Sequence, residues 1–379
     1  MHHAPVKARA RYEHAKDVVS RCIGSRGVYA GTRRYKYQYW TRDFVLAGLN
    51  VLVQLGRADA AKAHLAGIAA RQKSSGKIPI MFLHSRLGFM RIHFWDLLTH
   101  PLRFIEQVKL YVKKGLWKKG FSFENITPWS ADTEPLFIIG CYHYEALTGD
   151  TEFLDAMKPH IRRAAEYVER NLMRDDGLVY GGDWRDVMVY LDDTALLSVN
   201  ALMYRAYVLM HEREKAYKLL NAIERAFWNG SYYRDRLGSE DFDTFGESLA
   251  VLFYIVPEAR YKSVCEAYKT VACQYGFKVN NNSSENTDIP KSVQAFTDQY
   301  GTIWPFITGY AILALICMRR GLWSAEALIC WNQLKGFYEW YDPETGEGLG
   351  DREQMWSAAL YMQVYDSLKS HDFFNIAVQ

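Results

Sequence analysis

The chain has 379 residues, enough for one large core or two smaller ones, and a formal net charge of +3. Hydrophobic residues make up 49% and charged residues 23%, the balance of a soluble globular protein, and so small a charge excess gives no reason to expect nucleic acid as a partner. Aromatics reach 15%, with 11 Trp and 26 Tyr; most belong to a core, and a minority suits a site that stacks flat, hydroxylated ligands.

The chain opens on "MHHAPVKARARYEHAK", which is basic but has no apolar run behind it, so no signal peptide is expected. Apolar residues at three- and four-residue spacing predict a first helix near 8–22. The loop "YWTRDF" (39–44) leads into an apolar helix over 42–55, and an amphipathic helix follows at 57–73. Residues 85–120 break the rhythm. Their Lys and Arg outnumber Asp and Glu, and their apolar residues keep a helical period. An inserted helical arm is expected there, packed on the body of the protein or serving as a lid, a contact in a homo-oligomer or a membrane-surface helix. "PWSADTEP" (128–135) opens the apolar helix 132–148, with the charged helix 152–171 as its partner. "GGDWRDVMVYLDD" (181–193) opens 193–210, followed by 211–227. "DFDTFGES" (241–248) opens 244–255, followed by 257–274, and the polar stretch 279–292 reads as a mobile loop. "TDQYGTIWP" (297–305) opens 302–320, followed by 322–338, and "YDPETGEGLGDREQ" (341–354) opens 353–368. Convincing alternating strands are scarce.

The polar and aromatic loops recur once per helical hairpin, which is a repeat. Six apolar helices as an inner ring and six amphipathic helices as an outer ring satisfy it. Successive inner helices then run parallel, so all six loops meet at one end, where helix N-termini offer free N–H donors and positive potential. The expected architecture is an all-α (α/α)6 barrel in one domain over 1–379, interrupted by the 85–120 arm. The run "YAILALICM" is too short to span a bilayer, so no transmembrane segment is expected. The six cysteines (Cys22, Cys141, Cys265, Cys273, Cys317 and Cys330) form no C-x-x-C pair, the histidines show no metal spacing, and no phosphate loop or nucleophile turn is present. No metal or cofactor is therefore expected. The glycosylation sequons at Asn229, Asn281 and Asn282 read as chance matches in a chain expected in a reducing cytoplasm.

"YWTRDF", "ADTEPLF…ALTGD", "DWRDVM…NALMYRA", "GTIWPFITGY" and "EWYDPETGE…WSAALY" stand in an order that resembles inverting (α/α)6-barrel glycoside hydrolases. The likeness is closest to the amylo-α-1,6-glucosidase modules of glycogen-debranching enzymes and to processing-type α-glucosidases, with trehalases and neutral invertases more distant. It covers about residues 35–368 outside the arm. In that group the general acid is an aspartate in a Trp-x-Asp or Gly-x-Asp turn ahead of an inner helix, which the resemblance carries to Asp186 in Trp184-Arg185-Asp186, with Asp183 as the rival. The general base is a glutamate in Glu-x-Tyr-Asn-Pro-x-Thr-Gly, which falls on Glu339, with Asp342 in place of the usual Asn. Trp40, Arg42, Asp43 and Asp132 match sugar-gripping positions and Trp304 an aromatic wall; Trp184 and Arg185 flank the acid. Gln299 and Tyr300 replace a His-Asn pair.

Inversion needs one carboxyl that keeps its proton and a second, about 6.5–9.5 Å away, that activates water. An acidic cluster raises the pKa of one of its members, and Asp183, Asp192 and Asp193 could supply that field. Asp192 and Asp193 are expected first of all as helix caps. A negative charge at Glu339 opposes the helix dipole, a mild misfit that favours function. Arg42 and Asp43 suit sugar hydroxyls better than a surface ion pair does. Glu247 reads as a helix-start residue and is the fallback base. The expectation is an inverting, exo-acting glycosidase on α-glucosides with a carbohydrate as its partner. A neutral-invertase-like β-fructosidase acting on sucrose and a catalytically dead sugar-binding barrel are the alternatives.

Overall fold

In a computed structural model, the structure describes residues 3–88, 124–185, 193–281 and 301–370, with 122, 299 and scattered positions between 90 and 112. Asp186, Asp192, Tyr300 and most of the predicted arm and mobile loop lie outside the described residues.

Twelve helices are described outside the arm. They are α1 (His3–Cys22), α2 (Thr41–Asp43, a π-helical turn Phe44–Gly48, then Leu49–Gln54), α3 (Ala58–Ala69) and α4 (Thr133–Thr148). Then follow α5 (Thr151–Asn171), α6 (Leu197–Leu209), α7 (Arg213–Phe227) and α8 (Thr244–Leu252). The last four are α9 (Tyr261–Tyr268, after a 3-10 turn at Glu258–Arg260), α10 (Pro305–Cys317), α11 (Gly321–Trp331) and α12 (Met355–Ser370). The even-numbered helices pack in sequence, α2 on α4, α4 on α6, α6 on α8, α8 on α10 and α10 on α12, and α12 returns to α2. Outer helices α3, α5, α7 and α11 lie on them in hairpins, and α1 covers α12. This is an (α/α)6 barrel.

Burial explains which helix goes where. In α12 the side chains from Met355 to Met362 are buried without interruption, as suits a helix surrounded on all sides. In α7 the buried residues are Ala216, Leu219, Ala222, Ile223 and Phe227, a single stripe, and the charged remainder faces water. Close approach between inner helices uses small residues: a side chain at Gly309 of α10 would meet Leu360 of α12 at 2.9 Å.

Several boundaries differ from the sequence reading, among them the start of the first helix at His3 and the end of the eleventh at Trp331, and two have a plain structural cause. The ninth helix stops at Tyr268 because Ala272–Cys273 (β5) and Gly276–Phe277 (β6) form a tight antiparallel hairpin. Helix α6 starts at Leu197 rather than 193, because Ala195 and Leu196 are extended and bridge to Tyr180 and Arg236. Asp193 therefore caps nothing; it is exposed and pairs with Arg174. Three more two-stranded hairpins are present, Ile23–Gly24 with Gly27–Val28 (β1–β2), Gln38–Trp40 with Met81–Leu83 (β3–β4), and Trp340–Tyr341 with Gly348–Leu349 (β7–β8).

Candidate active site

The N-terminal ends of the inner helices share one end of the barrel, and their loops are stitched to one another by backbone hydrogen bonds. The first N–H of α2 (Thr41) donates to Ile80 O at 2.9 Å, that of α6 (Leu197) to Asp235 O at 2.8 Å, that of α8 (Thr244) to Val279 O at 2.9 Å and that of α12 (Met355) to Ala30 O at 2.8 Å. The first helix donor is thus satisfied by a neighbouring loop in each case, and only α8 of these four adds a capping side chain, from Asp243. The residues at the cap positions of α2, α6 and α10 are Trp40, Leu196 and Trp304, none of which makes a side-chain cap. Positions that usually carry Ser, Thr or Asp are released for a wall of large side chains.

Under this wall lies a buried lattice of charges. The Arg42 guanidinium donates to Asp132 through Nε at 2.6 Å and Nη2 at 3.1 Å, and to Ser130 Oγ and the carbonyl of Asp183. The Arg185 guanidinium, fully buried, is forked between Asp183 (2.9 Å from both Nε and Nη2) and Asp235 (2.9 and 3.0 Å). Burial alone would raise the Asp183 carboxyl, but the charge and hydrogen bonds of Arg185, with a 2.6 Å bond from Ser198 Oγ, outweigh it and hold the group below its ordinary value. A carboxylate so engaged stays ionised. Asp243, a third acid beside Arg185, behaves in the opposite way. Burial, opposed by Arg185 but reinforced by the charges of Asp235 and Asp183, pushes it up to about 8. Its Oδ2 caps α8 through Gly246 N–H at 2.7 Å, and its Oδ1 has no partner.

Glu339 stands on the strand side of the mouth, at the entry to β7. Its Oε1 accepts the Tyr35 hydroxyl at 2.6 Å and its Oε2 accepts the Asp351 N–H at 3.1 Å. Its own N–H donates to Asp351 O at 2.8 Å, so the β7–β8 hairpin clamps it from both ends. Burial and the Tyr35–Glu339 contact keep the Tyr35 phenol far above its ordinary value, which makes it a permanent donor. Burial, with the Glu339 charge adding to it, pushes the neighbouring Asp351 up to about 6. Gly350 (φ +73°) fits against Glu339; any side chain there would run into its Oε2. Asp342, where the resembled families have Asn, accepts hydrogen bonds from Glu344 N–H, Thr345 N–H and the Thr345 hydroxyl, so it holds the turn of this hairpin itself.

Between these two regions runs an aromatic wall. Trp184 packs edge-on against Trp304 (5.0 Å) and Phe306 (5.1 Å), and Phe306 stacks on Trp356 at 4.0 Å. Trp40 meets Tyr35 edge-on and donates to Gln38 Oε1 at 2.9 Å. The indole N–H groups of Trp184, Trp340 and Trp356 and the side-chain oxygens of Gln299 and Gln354 are buried without a partner. Each unmatched group costs about 1–3 kcal/mol.

The sequence-predicted residues therefore divide. Arg42, Asp132, Asp183 and Arg185 come together as a framework whose polar atoms are largely occupied by one another. Trp184, Trp304, Gln299 and Glu339 line the same end, Gln299 Nε2 lying 3.5 Å from the carbonyl of Trp184. Asp43 is buried beside Arg42. Glu247 is fully buried and accepts from Tyr233 N–H at 2.9 Å, and the Tyr233 hydroxyl in turn donates to Glu224 of the outer helix α7. Sequence reasoning missed Asp235, Asp243, Tyr35, Asp351 and Trp356. Asp243, Asp351 and Trp356 stand in or beside loops already marked by their composition; Asp235 and Tyr35 carried no signal.

No family model matches the chain, and no curated protein matches it in sequence. Solved structures do. The chain is similar to a GH63 mannosylglycerate hydrolase from Thermus thermophilus, with TM-score 0.68 and 14% identity over 94% of this chain and 100% of that one. A glycosidase in complex with glucose is similar at TM-score 0.67 and 14% identity, over 97% of this chain and 98% of that one. A rhamnosidase from Klebsiella oxytoca with rhamnose bound is similar at TM-score 0.65 and 14% identity, over 95% of this chain and 64% of that one. At this identity the likeness carries the fold.

Proposed function

We propose that the chain is a glycoside hydrolase acting with inversion, with Glu339 as general base and Asp186 as general acid. The observation that carries this reading is Glu339 itself, a buried carboxylate held by a phenol and a backbone N–H at the mouth where the inner helices begin. Each of its oxygens keeps a lone pair for a water, and the hairpin fixes its direction. The acid role goes to Asp186 rather than Asp183, because the two oxygens of Asp183 are engaged by Arg185 and Ser198 and the group stays ionised. Asp186 follows Arg185 directly in the sequence. The wall around Trp304 would stack the sugar ring. Among sugars, α-glucosides are favoured by the resemblance of the loops, and a similar glycosidase has been solved with glucose.

Proton NMR of the first sugar released from a panel of α-glucosides tests the reading. The expected first product has inverted configuration, and Asp186→Asn and Glu339→Gln each lower kcat by about 10²–10⁴ while leaving sugar binding in place. Retained configuration, or full activity in both variants, would refute it.

A further inference from the structure

The β7–β8 hairpin that carries Glu339 has an ingoing leg, which arrives from the end of α11, and an outgoing leg, which leads into α12. The legs are joined to each other: Gln354 N–H donates to Phe337 O at 2.8 Å, and Glu339 N–H to Asp351 O at 2.8 Å. One helix outside the inner ring, α1, holds both legs through arginines.

Arg11 takes the ingoing leg. Its guanidinium donates through Nη1 to Leu334 O and through Nη2 to Gly336 O, the latter at 2.8 Å. It also lies 4.8 Å over the Phe337 ring and 5.4 Å over the Tyr361 ring of α12. The chain turns at Gly336, which has a φ of +66°. The Tyr341 hydroxyl, from the far side of Glu339, reaches the same turn, 2.9 Å from both Lys335 O and Gly336 O, and accepts Tyr338 N–H at 2.9 Å. Arg11 and Tyr341 thus fix one turn, from which Glu339 stands three residues on.

Arg21 takes the outgoing leg, about 15 Å further along the helix. Its Nη1 and Nη2 fork onto the Glu353 carboxylate at 2.7 and 2.9 Å, and the Thr32 hydroxyl donates to the same carboxylate. Its Nε donates to Asp17 at 3.0 Å, which holds the guanidinium along α1. Helix α1 already buries Ala8, Ala15, Val18, Val19 and Cys22. Two forked guanidinium contacts on the legs of one hairpin add direction to that burial, because a planar fork fixes orientation as well as distance.

We infer that Arg11 and Arg21 are positioning residues for Glu339, so that α1 acts as a two-point clamp setting the direction of that carboxylate. The inference rests on the reading of Glu339 as general base.

Steady-state kinetics test it, with the α-glucoside of highest turnover in the panel above and with circular dichroism as the check on folding. Arg11→Met is expected to lower kcat by about thirtyfold and Arg21→Met by about fivefold, with KM within about twofold of the parent. Glu339→Gln already lacks the base, so the same substitutions made in it are expected to change its residual kcat by less than about twofold. The Arg21–Glu353 pair stands at the surface, with the arginine side chain 44% exposed, so Arg21→Met keeps the fold and carries the test if Arg11→Met does not. An unchanged kcat in Arg21→Met, or equal losses in the parent and Glu339→Gln backgrounds, would overturn the inference, since α1 would then support the barrel as a whole and not the base. Full activity of Glu339→Gln by itself marks the different failure, that of the base reading, and the clamp falls with it.

Discussion

Glu247→Gln separates a buried proton from a catalytic one. Glu247 is fully buried in α8, with one oxygen on Tyr233 N–H and the other without a partner. Burial, partly offset by that N–H and reinforced by Asp243, moves it from 4.5 up to about 8. Below about pH 4.5 folded and unfolded chains both hold the proton. Between there and about pH 8 the unfolded chain ionises freely while the folded chain does not, so stability falls as pH rises, and above that the loss is complete. At about 1.4 kcal/mol per pH unit, the gap amounts to something on the order of 5 kcal/mol. Glutamine keeps an acceptor for Tyr233 N–H and has no proton to lose. Denaturant melts followed by circular dichroism at a series of pH values are the assay. The variant is expected to gain several kcal/mol on the parent between pH 5 and pH 9, and to keep its hydrolytic activity within a few-fold, since Glu339 is the proposed base. Asp243 titrates in both proteins and cancels to first order. Stability curves that run parallel across this range would refute the argument from burial, and loss of hydrolysis with folding intact would move the base from Glu339 to Glu247.

Three further outcomes follow from the same geometry. Gly350→Ala forces a methyl group against Glu339 Oε2 at a φ of +73° and is expected to lower kcat by about a hundredfold with the fold retained, read by steady-state kinetics beside a thermal melt. Tyr35→Phe removes the 2.6 Å donor that fixes the direction of Glu339 Oε1 and is expected to lower kcat by about tenfold with KM little changed; an unchanged kcat would deny Tyr35 that role. Arg185→Met leaves Asp183 and Asp235 as uncompensated buried charges and is expected to cost about 3–5 kcal/mol in denaturant melts.

The architecture was legible because two signals agreed: the helical period along the chain, and the return of a polar, aromatic loop before every second helix. Composition alone separated α10 and α12, apolar on every face, from α5 and α7, striped on one. The helix starts were less legible. Asp192 and Asp193 look like caps beside "TALLSV", yet the cap of α6 comes from the carbonyl of Asp235, on a different loop. No local pattern encodes a cap supplied across space. The same holds for the site: Tyr35 and Glu339 meet over a separation of 304 residues, and Arg185 meets Asp235 over 50. The sequence could mark Glu339 through its hairpin motif, but not the phenol that holds it, nor that Arg185 and Asp183 are occupied by each other.

The return of α12 to α2, with α1 laid over the seam, bears on how the protein comes apart. Gln363 Nε2 donates to Ala47 O at 2.9 Å across that seam, and the Tyr361 hydroxyl donates to Ala8 O at 3.1 Å, tying α1 to α12. A linear stack of hairpins frays, because each terminal repeat has only one neighbour to lose. A closed ring has no terminal repeat. Opening any one hairpin strips two flanks at once, so partial unfolding is penalised all the way round, and hydrogen exchange should show slow amides of similar protection in all six inner helices rather than a gradient from one end.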